Sequence, residues 1–143
     1  MPLVLMPVFT FLLMSFAYHS DMILIKGANS NAETLEAGAM NGAILENYVV
    51  SEIAKTYLNS GKEPFMYYYR DKDAKEIDIV LEHDGILNPL EIKKTANPGS
   101  ELTKVFSLLD KASTPRGKGA ILCMKPALGA IDKENYLIPI WMI

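Results

Sequence analysis

Two short apolar segments between positions 75 and 94 carry charged residues, among them Glu76, Asp78, Glu91 and Lys93. Glu76 and Asp78 alternate with isoleucines in the first segment, and Glu91 and Lys93 flank an isoleucine in the second. Carboxylates are poor strand formers, and two that face each other across a strand pair repel. A divalent cation removes that repulsion, and Mg²⁺ binds one or two carboxylates together with water. A neighbouring lysine can stabilise a developing phosphate charge or orient a water molecule.

The Asp84-Gly85 pair predicts a two-residue type I′ turn, because both central positions of that turn need positive φ. A hairpin built on this turn pairs the charged residues across its strands, Asp78 with Glu91 and Glu76 with Lys93. The two carboxylates are then roughly 5 Å apart on one sheet face. On geometry alone this face has two interpretations, a solvated surface with ordinary ion pairs or a cation site. A slipped register would move the residues to opposite faces.

Regular elements of both kinds surround the hairpin. Residues 33–60 carry apolar side chains at spacings of three and four, which predicts an amphipathic helix that Gly61 caps. The aromatic run at 65–70 predicts a strand, and it forms an antiparallel meander with the hairpin strands at 75–83 and 86–94. The hairpin face opposite the carboxylates is predicted to be the main core face: Ile77, Ile79, Leu81, Leu90 and Ile92.

The C-terminal part of the chain predicts a crossover to parallel strands. Ser100 is placed to cap a helix that begins at Glu101, and strands follow at 119–124 and 137–143. A helix between two strands suits a parallel connection in the same sheet. The sequence therefore predicts an α/β fold with a central mixed β-sheet that contains an antiparallel hairpin and is flanked by helices.

Composition and charge exclude some classes of protein and some kinds of site. The chain has 143 residues, the size of one ordinary domain, and a net charge of −3, which argues against a strong non-specific nucleic-acid binder. Residues 1–90 carry a net −6 and residues 91–143 a net +3, so the C-terminal part can form a mildly basic patch. Cys123, alone of its type, excludes an internal disulfide and a four-cysteine zinc site, and fits a reducing compartment such as the cytoplasm.

The N-terminal segment Leu3–Tyr18 is apolar and uncharged, but it is too short for a comfortable membrane span. A signal peptide is one interpretation, although no Lys or Arg precedes the apolar run and Pro7 interrupts it. The favoured interpretation is a remnant of a longer chain that would pack against a missing neighbour. We therefore divide the chain into an apolar N-terminal segment, residues 1–30, and a domain at residues 31–143.

The order Asp78, twelve residues, then Glu91-Ile92-Lys93 resembles the PD-(D/E)XK signature of the restriction-endonuclease-like superfamily. More specifically, the chain resembles the uncharacterised C-terminal domain of a group of prokaryotic AAA+-type ATPases. The resemblance rests on four segments: GAMNGAILENYVVSEIAK (38–55), YYYRDKDAKEIDIVLEHDG (67–85), NPLEIKKTANP (88–98) and the final IPIWMI.

This resemblance implies a restriction-endonuclease-like fold and a Mg²⁺- or Mn²⁺-dependent nuclease-like hydrolase. Asp78 and Glu91 would bind the metal, Glu46 would be an outer acidic ligand, and Lys93 would be the catalytic lysine. Nucleic acid is then the expected substrate, with an ATPase domain or another protein as a further partner and no membrane. The chain lacks a P-loop motif, so no ATP site is expected. The alternatives are an inactive nuclease-like module that binds a partner or regulates an ATPase, and a truncated fragment.

Other reactive residue types have simpler interpretations. His19 and His83 are predicted to be solvated surface residues, and Cys123 is predicted to be buried and inert in an apolar strand. Tyr67 and Tyr69 belong to an alternating strand, so at least one tyrosine of this run is expected in the core, with base stacking as the alternative role.

Overall fold

The computed structural model describes residues 5–7 and 39–143, with side chains from Gly42 onward in the second range. Helix α1 (Ala39–Asn59) precedes most of the strands, a long 3₁₀ helix spans Ser100–Lys111, and a short 3₁₀ helix spans Ile140–Met142. The strands, in chain order, are β1 (Leu5–Pro7), β2 (Met66–Arg70), β3 (Glu76–His83), β4 (Ile86–Lys93), β5 (Gly119–Cys123), β6 (Gly129–Ala130) and β7 (Asn135–Pro139).

All of these strands belong to one mixed sheet, in the order β1-β2-β3-β4-β5-β7-β6. The first four form an antiparallel meander, β4 is parallel to β5, and β5 is parallel to β7. The short strand β6 pairs antiparallel with β7 at the edge. The predicted α/β class with a mixed sheet is therefore confirmed, and the long 3₁₀ helix makes the crossover from β4 to β5.

The sheet buries apolar side chains on both faces. Val49, Val50 and Ile53 of α1 pack on one face, against residues that include Ile79 and Leu90. The other face packs against the long 3₁₀ helix through Phe106 and Leu109. Because both faces are covered, the central strands carry long apolar runs in which a charged side chain is exceptional.

Helix α1 ends where the sequence predicts. Gly61 has φ +71°, and the Lys62 amide donates a hydrogen bond to the Tyr57 carbonyl at 3.0 Å. Such a left-handed glycine after the last turn satisfies carbonyls that the helix leaves without partners. The predicted helix spans 33–60, whereas the described one starts at Ala39, and residues 33–38 lie outside the described part of the chain.

The hairpin turn is the predicted one. Asp84 has φ 51° and Gly85 has φ 72°, as a type I′ turn requires. The register from the His83–Ile86 pair back to the Ile79–Leu90 pair is also the predicted register. The sequence prediction of the hairpin is therefore confirmed over five cross-strand pairs.

Strand β3 contains a bulge that the sequence does not predict. Tyr67 pairs with Val80 and Tyr69 with Ile77, so one intervening residue on β2 corresponds to two on β3. Asp78 and Ile79 together therefore lie opposite the single residue between those tyrosines. The extra residue turns Ile77 to the face of the long 3₁₀ helix, beside Val80. The prediction that Ile77 shares a core face with Ile79 is therefore wrong.

The same irregularity changes the partner of Glu76. This residue pairs in register with Arg70 of β2, and the Arg70 Nε atom lies 3.1 Å from the Glu76 Oε1 atom. The predicted pairing of Glu76 with Lys93 is therefore wrong, because the bulge displaces the start of β3 from the hairpin register.

Two C-terminal predictions are also corrected. Gly99 occupies the N-cap position of the long 3₁₀ helix without a side-chain cap, and Ser100 is already its first residue. Strand β7 ends at Pro139, the third residue of the predicted strand at 137–143, since the chain turns into the short 3₁₀ helix at Ile140.

Part of the apolar N-terminal segment, β1, pairs with β2 at the edge of the sheet. The rest of that segment and His19 lie outside the described residues, so the signal-peptide and domain-boundary predictions stay predictions. Within the described ranges, helices are either too short or too polar to cross a membrane.

Candidate functional site

Lys93 brings the two predicted carboxylates of the hairpin together. Its Nζ atom lies 3.0 Å from the Glu91 Oε2 atom and 3.5 Å from the Asp78 Oδ2 atom. The lysine follows Glu91 by two residues on β4, so both side chains project from the same side of that strand. The three residues form one compact charged group, which we call the acid–lysine cluster.

The β3 bulge positions Asp78. Continued past Ile79, the hairpin register would set Ile92 opposite Ile77, but the bulge interrupts this pairing. The Asp78 Oδ2 atom instead accepts a hydrogen bond from the Ile92 backbone amide at 2.8 Å. A side-chain carboxylate thus replaces a backbone acceptor, which fixes it against β4 and beside Lys93.

Glu91 is the buried member of the cluster, with 7% of its side chain exposed. Its Oε1 atom is buried and has no hydrogen-bond partner among the described residues. Burial, followed by the neighbouring charge of Asp78, raises the pKa of Glu91 to about 7, although contact with Lys93 opposes the rise. The fold therefore favours the protonated form of this carboxyl group more than water does.

Lys93 remains a cation in this setting. Burial favours its neutral form, but the charge of Asp78 and the contacts with Glu91 outweigh burial and raise the pKa of Lys93 overall. About a third of its side chain, 35%, is exposed. An ammonium group held by two carboxylates and open to solvent on one side can contact an incoming anion.

The fourth predicted site residue is Glu46, and no described contact links it to the acid–lysine cluster. It lies on α1 with a partly buried side chain, and it interacts with a neighbouring group. Within the described part of the chain, no three or more His, Cys, Asp or Glu residues form a group able to hold a metal ion. The described acids thus converge as a pair, and the role of Glu46 as an outer ligand stays a prediction.

Tyr68 is a neighbour of the cluster that the sequence reasoning missed. Burial, a hydrogen bond with Glu76 and the charges of Glu76 and Asp78 raise the pKa of Tyr68. The residue lies on β2 opposite the bulge. The sequence shows only that Tyr68 belongs to an aromatic strand beside the acidic hairpin. This position does not indicate which of the three consecutive tyrosines lies near the cluster.

The remaining predictions concern residues away from the cluster. Cys123 is buried and has a free thiol, as predicted. His83 is an exposed residue whose Nε2 atom lies 3.3 Å from the Asp84 Oδ2 atom, which confirms its predicted surface position. Tyr69 is buried, with 7% exposure, so one tyrosine of the aromatic strand does pack in the core.

Comparison with known protein families gives one match. Residues 41–143 match the family described as a domain of unknown function, DUF4143. The chain belongs to this family. The match covers more than half of the chain and includes every predicted site residue from Glu46 to Lys93. Comparisons with curated proteins and with solved structures give no match.

Proposed function

We propose that this DUF4143 domain is a metal-dependent, nuclease-like phosphodiesterase that acts on nucleic acid. Asp78 and Glu91 would hold Mg²⁺ or Mn²⁺, and Lys93 would be the catalytic lysine. One observation carries the proposal: a buried carboxylate, one oxygen of which has no partner in the described part of the chain, lies beside a second carboxylate and a partly exposed lysine. The restriction-endonuclease-like fold, which the PD-(D/E)XK resemblance implies, belongs to the same proposal.

The residues present suit a hard divalent cation. Mg²⁺ prefers oxygen ligands and takes one or two carboxylates with water completing its shell. The Glu91 Oε1 atom is a buried acceptor with no donor among the described residues, and such a group costs about 1–3 kcal/mol when it stays unsatisfied. A cation would satisfy this oxygen and offset the repulsion between Glu91 and Asp78. Glu46 would supply a further acidic ligand from α1.

The proposed reaction would need both a divalent cation and the side chains of the acid–lysine cluster. A divalent cation at such a site lowers the pKa of a bound water and polarises a phosphoryl oxygen. Lys93 contributes a fixed positive charge, held in place by Asp78 and Glu91, against the negative charge that develops on phosphate during in-line attack. Asp78 keeps its orientation through the Ile92 amide, so the acidic pair is preorganised before substrate binds.

A second function is supported by a different observation. The described residues bring together two acids rather than three, and the chain is acidic overall. A module that has kept a nuclease-like fold without catalysis, and that binds a partner or regulates an ATPase, would look like this. A truncated fragment of such a protein is a variant of the same alternative.

The deciding experiment measures Mg²⁺- and Mn²⁺-dependent cleavage of single- and double-stranded DNA and RNA by the whole chain. Asp78→Ala and Lys93→Ala are expected to abolish cleavage. Lys133→Ala is the matched control, because Lys133 is an exposed lysine before β7, away from the cluster. Calorimetry with Mg²⁺ or Mn²⁺ alone should show binding that Asp78→Ala weakens.

Two results would contradict the catalytic proposal. Cleavage that survives both Asp78→Ala and Lys93→Ala would come from another site or from a contaminant. No metal binding by calorimetry, together with no cleavage of any substrate, would favour the non-catalytic module.

A further inference from the structure

We infer that the carboxyl ends of β4, β5 and β7 form a binding surface for single-stranded nucleic acid, with Trp141 as a stacking platform. This inference deepens the proposed function, because the surface begins at the acid–lysine cluster. We call it the carboxyl-end surface and define it by Lys94, Met124, Lys125, Trp141 and Met142.

Strand register places the residues directly before this surface side by side. Lys93, Cys123 and Pro139 are successive partners across the parallel strands β4, β5 and β7. At a spacing of about 4.8 Å between strands, Lys93 and Pro139 are about 10 Å apart across the sheet. Trp141 follows Pro139 by two residues, so it lies within reach of an oligonucleotide that also contacts Lys93.

The alignment continues beyond the strand ends. The Met124 amide donates a hydrogen bond to the Thr95 carbonyl at 2.9 Å, which keeps the segments after β4 and β5 together. Lys94 and Lys125 therefore belong to neighbouring segments at the same edge of the sheet. This edge is also where Asp78 and Glu91 meet Lys93.

The charge at this edge is opposite to that of the whole chain. Segments 93–97, 124–128 and 140–143 contain three lysines and no Asp or Glu. Asp78 and Glu91 are ion-paired with Lys93 at the same edge, so the three lysines and two acids sum to +1, against −3 for the whole chain. A cluster of positive charge in an acidic chain suits a polyanion. It begins at the residues proposed for phosphate chemistry, which favours a nucleic acid over a protein partner.

Large apolar side chains are exposed among the lysines. Trp141 is 55% exposed, Met142 58% and Met124 42%. Stacking on an exposed aromatic ring is tolerant of base sequence, and lysines along the backbone supply the affinity. Bases in a duplex are already stacked on one another, so an exposed ring selects a single strand.

The test uses Trp141 as its own reporter, because the chain contains a single tryptophan. The whole chain is titrated with oligo(dT) in EDTA, where metal-dependent cleavage is blocked, while tryptophan fluorescence and oligonucleotide anisotropy are recorded. We expect quenching that tracks binding, and weaker binding to a duplex of equal length. Salt should weaken binding with a slope of about −2 in log–log form for three phosphate contacts.

Matched variants separate stacking from charge. Trp141→Leu should weaken binding about 5- to 100-fold, whereas Trp141→Phe should keep most of it. Lys94→Ala and Lys125→Ala should each reduce the salt slope by about 0.7. Lys133→Ala is the control, because Lys133 is an exposed lysine before β7, at the opposite end of that strand. It should leave binding unchanged.

Failure of this inference differs from failure of the proposed function. Oligonucleotide binding with Trp141 quenching but no cleavage in Mg²⁺ would support the surface and contradict catalysis. Cleavage without Trp141 quenching, or binding that Trp141→Leu leaves intact, would overturn the surface alone. A fluorescence response to anionic phospholipid vesicles but not to oligo(dT) would also overturn it.

Discussion

The raised pKa of Glu91 makes the stability of this protein depend on pH in a way that one substitution removes. Burial, together with the charge of Asp78, moves the pKa of Glu91 from 4.5 to about 7 in the folded state. Between these values the folded protein binds more protons than the unfolded chain. The stability that Glu91 contributes is therefore fully present below its unfolded pKa and is lost as pH rises through its folded pKa.

The size of the effect follows from that difference. At about 1.4 kcal/mol for each pH unit, complete ionisation of Glu91 in the fold costs about 3 kcal/mol. Between about pH 5 and about pH 8.5, the folded state should lose about 2–3 kcal/mol through this one group. Glu91→Gln keeps the shape of the side chain and removes the titration, so it should abolish this loss.

Urea unfolding at those two pH values measures the difference directly. The change in unfolding free energy between them should be smaller in Glu91→Gln than in the wild type by about 2 kcal/mol. Any effect of Glu91→Gln on the unfolding free energy that does not depend on pH cancels in this comparison. Glu134→Gln removes an exposed carboxylate and should follow the wild-type profile. Parallel profiles for wild type and Glu91→Gln would refute the description of Glu91 as a desolvated acid.

Three further substitutions probe the cluster and its supports. Asp78→Asn removes a neighbouring negative charge, so the pKa of Glu91 should fall, which a carboxyl ¹³C NMR titration detects; an unchanged pKa would mean that burial alone sets it. Gly85→Ala puts a side chain at φ 72° and should cost about 1–2 kcal/mol by urea unfolding; no loss would contradict the type I′ turn. Gly119→Ala would place a Cβ atom 2.6 Å from the Phe106 ring and should lower stability by about 1–3 kcal/mol, visible as a reduced Tm; an unchanged Tm would contradict this close packing.

The sequence predicts the hairpin well because its turn has strict conformational needs. Few residue pairs tolerate positive φ at two consecutive positions, and Asp84-Gly85 is one of them. Once this turn is placed, the register follows by counting, and the apolar pattern agrees with it. The predicted register holds from the turn to the Ile79–Leu90 pair. The predicted Asp78–Glu91 pair lies beyond that point, where the bulge sets the position of Asp78 instead.

The helix that follows the hairpin shows a limit of the same reasoning. Apolar residues at spacings of three and four fit both an α-helix and a 3₁₀ helix, so the pattern does not separate the two types. The prediction that Ser100 caps this helix assumed that the residue precedes the first turn. The 3₁₀ helix includes Ser100, so its hydroxyl is inside the helix rather than at the cap.

The alternation of apolar and polar residues does not predict the bulge in β3, and this bulge affects the site more than any other unpredicted feature. In a regular strand, Asp78 would lie opposite Glu91 and the two carboxylates would repel each other. The Ile92 amide would donate its hydrogen bond to a backbone carbonyl of β3. The extra residue instead lets Ile77 and Ile79 pack on opposite faces, where both are fully buried. The amide of Ile92 is then satisfied by Asp78, which holds its carboxylate at Lys93. Packing of the two isoleucines supports the bulge, and the Ile92 amide and Lys93 then hold the Asp78 carboxylate in place. Asp78→Ala should therefore disturb the site more than the fold.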